Sequence, residues 1–538
     1  MAQPITPAQL LELFDGNTPF ALIDVREPGE YNASHIPGSS LIPRRMLEFD
    51  LAVAVPHPST LVALCDDDGH RVARAVDTVE NMCYSNVAWL DGGVNRWMSL
   101  DHPTEWGVNV PSKDFGEKME VVHHVPEIDA MELHARMERG DKMVILDTRT
   151  PEEYRRFCIP GGRSLPGGEL ALRITDVTAD LDPDTTVVIN CAGRTRSIIG
   201  TRILQRMGLD REVVGLKNGT SGWVLAGYEL ESGADRDQLP GVSNAGRAAA
   251  EAYADRCASE DGVRFLDVNG LDALIDRRQN ESVYFIDVRT AEEYDQGRIA
   301  GFRWFPGGQC VQRSDDVAVV KNAPIVFCCD GKARATLVAS WYRQLGYEEV
   351  YALDGGVGAW AAAGRPLESG SNAGAQFDGS ISGAGEPQPL LDARNSVTTL
   401  SASDVQNDSS AVVIFVDTSR DFSRGHVLGA HWAPRGWLEW QIADFAPDTH
   451  ARVIVTCGDG RQSLLAAATL QAMGYSNVAA LDGGMTAWRA AGLPVEEGLT
   501  GVMRTPADIV FSGPDRTYAD MQHYLRWETE LGAKYAAD

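Results

Sequence analysis

Leu22-Ile23-Asp24-Val25-Arg26, Ile145-Leu146-Asp147-Thr148-Arg149, Phe285-Ile286-Asp287-Val288-Arg289 and Phe415-Val416-Asp417-Thr418-Ser419-Arg420 read as four versions of one apolar strand that ends in an acidic residue. Taken at the aspartates, they recur at intervals of 123, 140 and 130 residues. A period of that length is a whole domain, far longer than a solenoid repeat. Outward from the strand, the order of features is the same in each copy. A Glu/Tyr segment follows (Glu30-Tyr31, Glu153-Tyr154, Glu293-Tyr294, with Phe422 in the fourth), then a Gly/Pro turn such as Ile36-Pro37-Gly38 or Ile159-Pro160-Gly161. A second apolar strand (61–64, 187–189, 325–327, 453–455) runs into a short polar loop and a helical stretch. A third strand leads to a glycine turn ahead of Trp97, Trp223, Trp360 or Trp488. Apolar strands alternating with helices predict an α/β fold with a mostly parallel sheet and helices on both faces, repeated four times. The tryptophans read as core packing.

The 538 residues exceed what one core can hold and suit several domains. The copies are expected at 1–112, 120–235, 263–370 and 390–498. Between them, 236–262 is alanine-rich and reads as a helical connector, and 371–389 is rich in Gly, Ser, Ala and Pro and reads as a flexible linker. A tail, 499–538, carries an amphipathic helix over 518–535, with Met521, Tyr524, Leu525 and Leu531 as its packing stripe; whether it docks on a domain or a second subunit is open, as is the oligomeric state. No apolar run is long enough to span a membrane, and the N-terminus lacks a secretory pattern, so a cytoplasmic protein with free thiols is expected. A formal charge of −28 excludes nucleic acid and anionic membranes as expected partners. The nine cysteines form no Cys-x-x-Cys pair and no zinc-like spacing, so neither a metal nor a disulfide framework is expected.

Three cysteines stand in the polar loop after the second strand: Cys191-Ala192-Gly193-Arg194-Thr195-Arg196-Ser197, Cys329-Asp330-Gly331-Lys332-Ala333-Arg334-Ala335 and Cys457-Gly458-Asp459-Gly460-Arg461-Gln462-Ser463. Open α/β sheets gather reactive groups at such strand ends, where the next helix turns backbone N–H groups toward the loop. A thiolate held there among cations is expected to have a depressed pKa and to act as a nucleophile. No histidine adjoins the loops, which disfavours a cysteine-protease mechanism.

The strand end, Glu/Tyr segment, Ile-Pro-Gly turn, Cys-x-x-x-x-Arg-Ser loop and Asp-Gly-Gly turn together resemble the rhodanese family, over about 450 residues judged by the repeats. The resemblance implies a sulfurtransferase that needs no cofactor. A loop cysteine takes a sulfane sulfur from a small anionic donor, thiosulfate or a persulfide, and passes it to cyanide, a thiol or a protein. Cys191 is then the persulfide carrier, with Arg194 and Arg196 holding the donor, and the first and second domains resemble the inactive-plus-active pair of tandem rhodaneses. The corresponding cations are Lys332 and Arg334 beside Cys329, and Arg461 beside Cys457.

The first copy reads Leu64-Cys65-Asp66-Asp67-Asp68-Gly69-His70-Arg71, so either Cys65 or Asp66 could stand at the nucleophile's place. In the other copies the loop cysteine lies 16 residues before Met207, Leu345 or Met473, and Asp66 lies 16 before Met82. Asp66 therefore takes the position and the domain is expected to be inactive. Cys65 keeps an alternative, since its spacing to Arg71 resembles the longer loop of rhodanese-fold phosphatases, though three aspartates would oppose a phosphate. Among the loops the second is the most basic, the third adds Asp330 and the fourth has Gln462 where an arginine is usual, giving the order Cys191, Cys329, Cys457. A multidomain persulfide relay or scaffold, and a phosphatase or arsenate reductase on the same fold, are the competing functions.

Overall fold

The computed structural model describes residues 2–370 and 386–536. Each copy builds a five-stranded parallel sheet with strand order 1-5-4-2-3, counted within the copy. The central strand is the one that feeds the reactive loop: Leu61–Cys65, Thr186–Asn190, Ile325–Cys328 and Val453–Thr456. Helices cover both faces, so these strands are apolar almost throughout and do not alternate. From the central strand the chain crosses to one side of the sheet, and from its neighbour, strand 2, it crosses to the other. The ends of strands 2 and 4 therefore flank a topological switch point, where a crevice opens.

The glycine turn closes against that point. Gly93, Gly219, Gly356 and Gly484 have φ between +52° and +58°, and a Cβ on any of them would lie well inside van der Waals contact with the carbonyl oxygen of Asp66, Cys191, Cys329 or Cys457. Glycine is needed there both for the backbone and for the close approach. The tryptophan that follows is core in every copy, and each indole N–H donates to the carbonyl six residues on, Pro103, Glu229, Pro366 or Pro494, at 2.7–2.9 Å.

The aspartates that mark the strand ends hold the arginine two residues on. Arg149 is 1% exposed and donates to Asp147 at 2.7 Å and to Phe157 O at 2.5 Å; Arg26 and Arg289 repeat the arrangement on Asp24 and Asp287. The fourth copy departs from the expected register. Asp24, Asp147 and Asp287 pair with Cys65, Asn190 and Cys328, the residues just before the loop position, but the residue paired with Thr456 is Phe415. Asp417 is thus two places beyond the aspartate position and stands where the other copies have arginine. Phe422, seven residues after Phe415 as Tyr154 is after Asp147, confirms the register.

The domains do not associate in chain order. The described residues divide into two compact units: 2–108, 319–321 and 386–510 form one; 109–318, 322–370 and 511–536 form the other. The first domain is therefore partnered by the fourth and the second by the third, an arrangement that the order of the repeats leaves open. In the first unit, Arg44 and Glu48 meet Arg435 and Glu439: Arg44 bonds Glu48 at 3.2 Å and Glu439 at 2.8 Å, and Arg435 bonds Glu48. Each domain contributes the same Arg-x-x-x-Glu turn, so the buried charges cancel across the contact. In the second unit the corresponding turns are glycines, and Gly168 packs so close to Gly308 that a Cβ would lie 2.7 Å from its nitrogen. The expected connector forms the helix Asn244–Asp261, which packs on Leu170–Thr178 and Ala333–Gln344. Most of the expected 371–389 linker lies outside the described residues; its last two belong to the helix Gln388–Ser396. The tail helix, Tyr518–Leu531, packs on Val110–His123, the helix that enters the second domain.

Replacing Asp147 by alanine leaves the buried Arg149 guanidinium without its counter-charge. A loss of about 3–5 kcal/mol is expected, to be measured by denaturant unfolding of the second unit's transition.

Candidate active site

One backbone hydrogen bond marks the equivalent position in every copy. The carbonyls of Asp66, Cys191, Cys329 and Cys457 accept from the N–H of Val94, Thr220, Val357 and Met485 at 2.8–2.9 Å. Asp66 is therefore the nucleophile's counterpart, and Cys65, like Cys328, is the buried last residue of the central strand. Burial pushes the Cys65 thiol well up, and Asp24 adds to the rise.

The first domain shows what the loop binds. The Asp66 carboxylate accepts four backbone N–H groups, from Asp68 at 3.1 Å, Gly69 at 2.5 Å, Arg71 at 2.7 Å and Val72 at 2.9 Å. The converging amides form an anion site, here filled by the protein's own side chain. Its Arg71 is bound to Glu30 at 2.6 Å and to Asp67 at 3.0 Å.

In the fourth domain the same cradle faces sulfur. Cys457 Sγ accepts from Gly460 N at 3.1 Å and Ser463 N at 3.4 Å, and Ser463 Oγ lies at 3.5 Å. These donors are three and six residues on, as Gly69 and Val72 are from Asp66. Arg461 is half-buried with its guanidinium 4.7 Å from the centre of the Phe49 ring; its Nε has no hydrogen-bond partner and it makes no ion pair among the described residues. Gln462 donates to Arg45 O of the first domain at 2.9 Å. Burial pushes the Cys457 thiol up to about 11, with Asp417 adding to the rise and Ser463 opposing it.

The second domain's loop is not the open basic site expected of it. Arg194 is buried against Glu117 at 2.6 Å and also meets Glu127 at 3.4 Å, while Arg196 grips Glu153 at 2.7 Å. Both guanidinium groups are matched by carboxylates. Burial opposes ionisation of Glu153, yet Arg196 outweighs it and holds the carboxyl at about 2; burial lifts Glu117 to about 7 despite Arg194. Cys191 is 2% exposed with Ser197 Oγ at 3.4 Å, and the tail helix covers the loop. Thr195 Oγ1 donates to Glu528 Oε1 at 2.7 Å, and a Cβ on Gly193 would lie 3.3 Å from Glu528 Oε2 and 3.4 Å from Tyr524. Lys113, 5.1 Å from the centre of the Tyr524 ring, is driven down to about 8 by burial.

The third loop is also claimed. Arg334 binds Glu293 at 2.6 Å, Glu169 of the second domain at 2.7 Å and Asp330 at 2.8 Å; Lys332 pairs with Asp255 of the connector helix, and Asp330 with Arg247 of the same helix at 2.9 Å. Cys329 is fully buried, and burial pushes its thiol up to about 11. The depressed thiol pKa values expected of the three loops are not found, because removing the sulfur from water outweighs the cradle.

Sequence reasoning found all three loop cysteines and the aspartate substitution. It missed Glu528 and Glu117, which lie far along the chain from Cys191, and named Tyr524 only as part of the tail helix's packing stripe. It also missed Asp417 as a neighbour of Cys457; the signal was available, since Phe422 sits seven residues after Phe415. Among the described residues no His, Cys, Asp and Glu groups are arranged to hold a metal.

A sheet whose central strand ends in an amide-lined loop, three times bearing a cysteine, places a candidate sulfur nucleophile at an anion-binding turn. The rhodanese-like domain model matches residues 6–100, 129–226, 270–363 and 383–491. The crystal structure of thiosulfate sulfurtransferase from Pseudomonas aeruginosa is 34% identical, with a TM-score of 0.87 over 100% of this chain and 98% of that one. The thiosulfate sulfurtransferase GlpE of Pseudomonas fluorescens is 39% identical over 84 residues, 15% of this chain and 73% of its own. The probable adenylyltransferase/sulfurtransferase MoeZ of Mycobacterium tuberculosis is 35% identical over 100 residues, 18% of this chain, and the match spans a quarter of MoeZ's length. The chain belongs to the rhodanese-like family and is a sulfurtransferase.

Unseating the tail helix should open the second loop. Tyr524→Ala combined with Leu525→Ala is expected to raise the alkylation rate of Cys191 roughly tenfold or more, read by peptide mass spectrometry, with Cys457 as the internal reference.

Proposed function

We propose that sulfur transfer in this chain runs through a persulfide on Cys457, loaded from thiosulfate or a persulfide and discharged to a thiol, cyanide or a protein sulfur. The observation that carries this reading is the combination at Cys457 of an amide cradle already directed at the sulfur and an arginine, Arg461, that no carboxylate claims. Cys191 and Cys329 share the cradle position, but their loop cations are neutralised and their loops lie under helices. The pairing of the first domain with the fourth agrees with it: the domain with Asp66 in place of a loop cysteine partners the one with the free arginine, and Gln462 is held by the Arg45 carbonyl.

The chemistry follows thiol–disulfide exchange. The Cys457 thiolate attacks the outer sulfur of the donor, the donor's sulfur–sulfur bond breaks, and sulfite or a thiolate leaves with the bonding pair. The terminal sulfur of the new persulfide is anionic and lies among the N–H groups that in the first domain hold a carboxylate. Arg461 supplies the positive charge that brings the donor in. No general base is required, since a thiolate attacks and a stable anion departs.

Intact-protein and peptide mass spectrometry after donor treatment tests this directly. Sulfur is expected on Cys457, with Cys457→Ser abolishing transfer and Cys191→Ser retaining most of it. Sulfur confined to Cys191, with Cys457→Ser fully active, would overturn the assignment. Because the Cys457 thiol lies near 11, thiolate is the minor form at neutrality. Its loading rate should therefore rise with pH between 6 and 9, by roughly tenfold per unit where deprotonation limits, in stopped-reaction assays.

A further inference from the structure

The register of the fourth sheet puts a carboxylate where its sister domains have an arginine. Phe415 pairs with Thr456 as Asp147 pairs with Asn190 and Asp287 with Cys328, so Asp417 occupies the station of Arg149 and Arg289. Those arginines are folded back onto their own aspartates at 2.7 and 2.6 Å and onto the carbonyls of Phe157 and Gly297. Phe415 offers no such anchor; it is buried edge-on against Phe422 with ring centres 5.6 Å apart. A neutral Asp–Arg pair has become an apolar residue and a negative charge.

That charge lies against the reactive loop. Asp417 Oδ2 is 3.4 Å from Gly458 N, the first amide after Cys457, and 3.5 Å from where a Cβ on Gly458 would stand. Asp459 Oδ1 lies 3.8 Å from Cys457 Sγ. The cation facing Asp417 is Arg45 from the first domain, and Arg45 is already bound to Glu27 at 3.0 Å. Asp421 behind Asp417, and Asp508 beside Arg45, add further negative charge. At the other three domains nothing comparable stands at this position.

We propose that Asp417 sets donor choice at Cys457, disfavouring a small dianion such as thiosulfate and favouring organic persulfides, which bring the same sulfane sulfur with less negative charge. This rests on Cys457 as the carrier. With a persulfide the thiolate of Cys457 attacks the outer sulfur of R–S–SH, the S–S bond breaks, RS⁻ leaves with the electron pair, and the new Cys457–S–SH then releases its proton to water to give the persulfide anion. With thiosulfate both the arriving donor and the departing sulfite are dianions, and each must pass the Asp417 carboxylate. A single unscreened carboxylate close to such a path is worth about tenfold in rate.

The test is single-turnover loading of the full chain with thiosulfate and, separately, cysteine persulfide, with sulfur on Cys457 read by mass spectrometry. The unaltered chain should load faster from the persulfide at equal concentration. Asp417→Asn should raise the thiosulfate rate about tenfold and the persulfide rate far less. It should also move the acid limb of loading to lower pH, because removing the anion stabilises the thiolate. Asp417→Glu, which keeps the charge, should retain the preference. Faster loading of the unaltered chain from thiosulfate, or an unchanged donor ratio in Asp417→Asn, would overturn the proposal. No sulfur on Cys457 from either donor would remove the carrier itself, and so separates failure of that reading from failure of this one.

Discussion

Backbone N–H groups converging at the end of a buried central strand are the constraint around which each of the four domains is arranged. Amides that point inward without water need an acceptor, and the residue just past the strand supplies it. The first domain answers with the Asp66 carboxylate, which takes four of them. The fourth answers with a sulfur that becomes a better acceptor when it is a thiolate or a persulfide. Much of the neighbouring structure follows from keeping that loop in place. The glycine turn approaches it closely enough to bond its first carbonyl, and in three domains an arginine in the following helix ties it to the Glu/Tyr segment, at 2.6–2.7 Å.

Those ties explain why counting basic residues misleads. Arg196, Arg334 and Arg71 sit at one structural position, and each is spent on a glutamate of its own domain. A loop rich in arginine in the sequence is thus nearly neutral in the fold. The fourth loop, apparently the poorest, replaces that arginine by Gln462 and leaves Arg461 unpaired. Free charge, not total charge, is what an incoming anion meets.

The four domains have also diverged in what covers the loop. The connector helix reaches the third through Arg247 and Asp255, and the tail helix reaches the second through Glu528 and Tyr524. In both cases the covering segment supplies carboxylates, so access and charge change together. The domain pairing has the same character. Matching Arg-x-x-x-Glu turns join the first and fourth domains, whereas glycines in the equivalent turns allow the second and third to touch backbone to backbone.

By itself the sequence determined the number of domains, their parallel α/β architecture, the three loop cysteines and the replacement of the fourth by Asp66, because these depend on local periodicity and on spacings within one repeat. It also carried the alternative placement of Asp417, through the distance from Phe415 to Phe422, but strand pairing was needed to choose between two acceptable alignments. Only the tertiary structure decided which domains associate, which arginines remain free and which loops are roofed. Those outcomes depend on pairs such as Thr195 with Glu528, Arg334 with Glu169 and Arg435 with Glu48, whose members are 165 to 387 residues apart. Electrostatic neutralisation acts through space, and no local pattern records where a distant carboxylate will be brought.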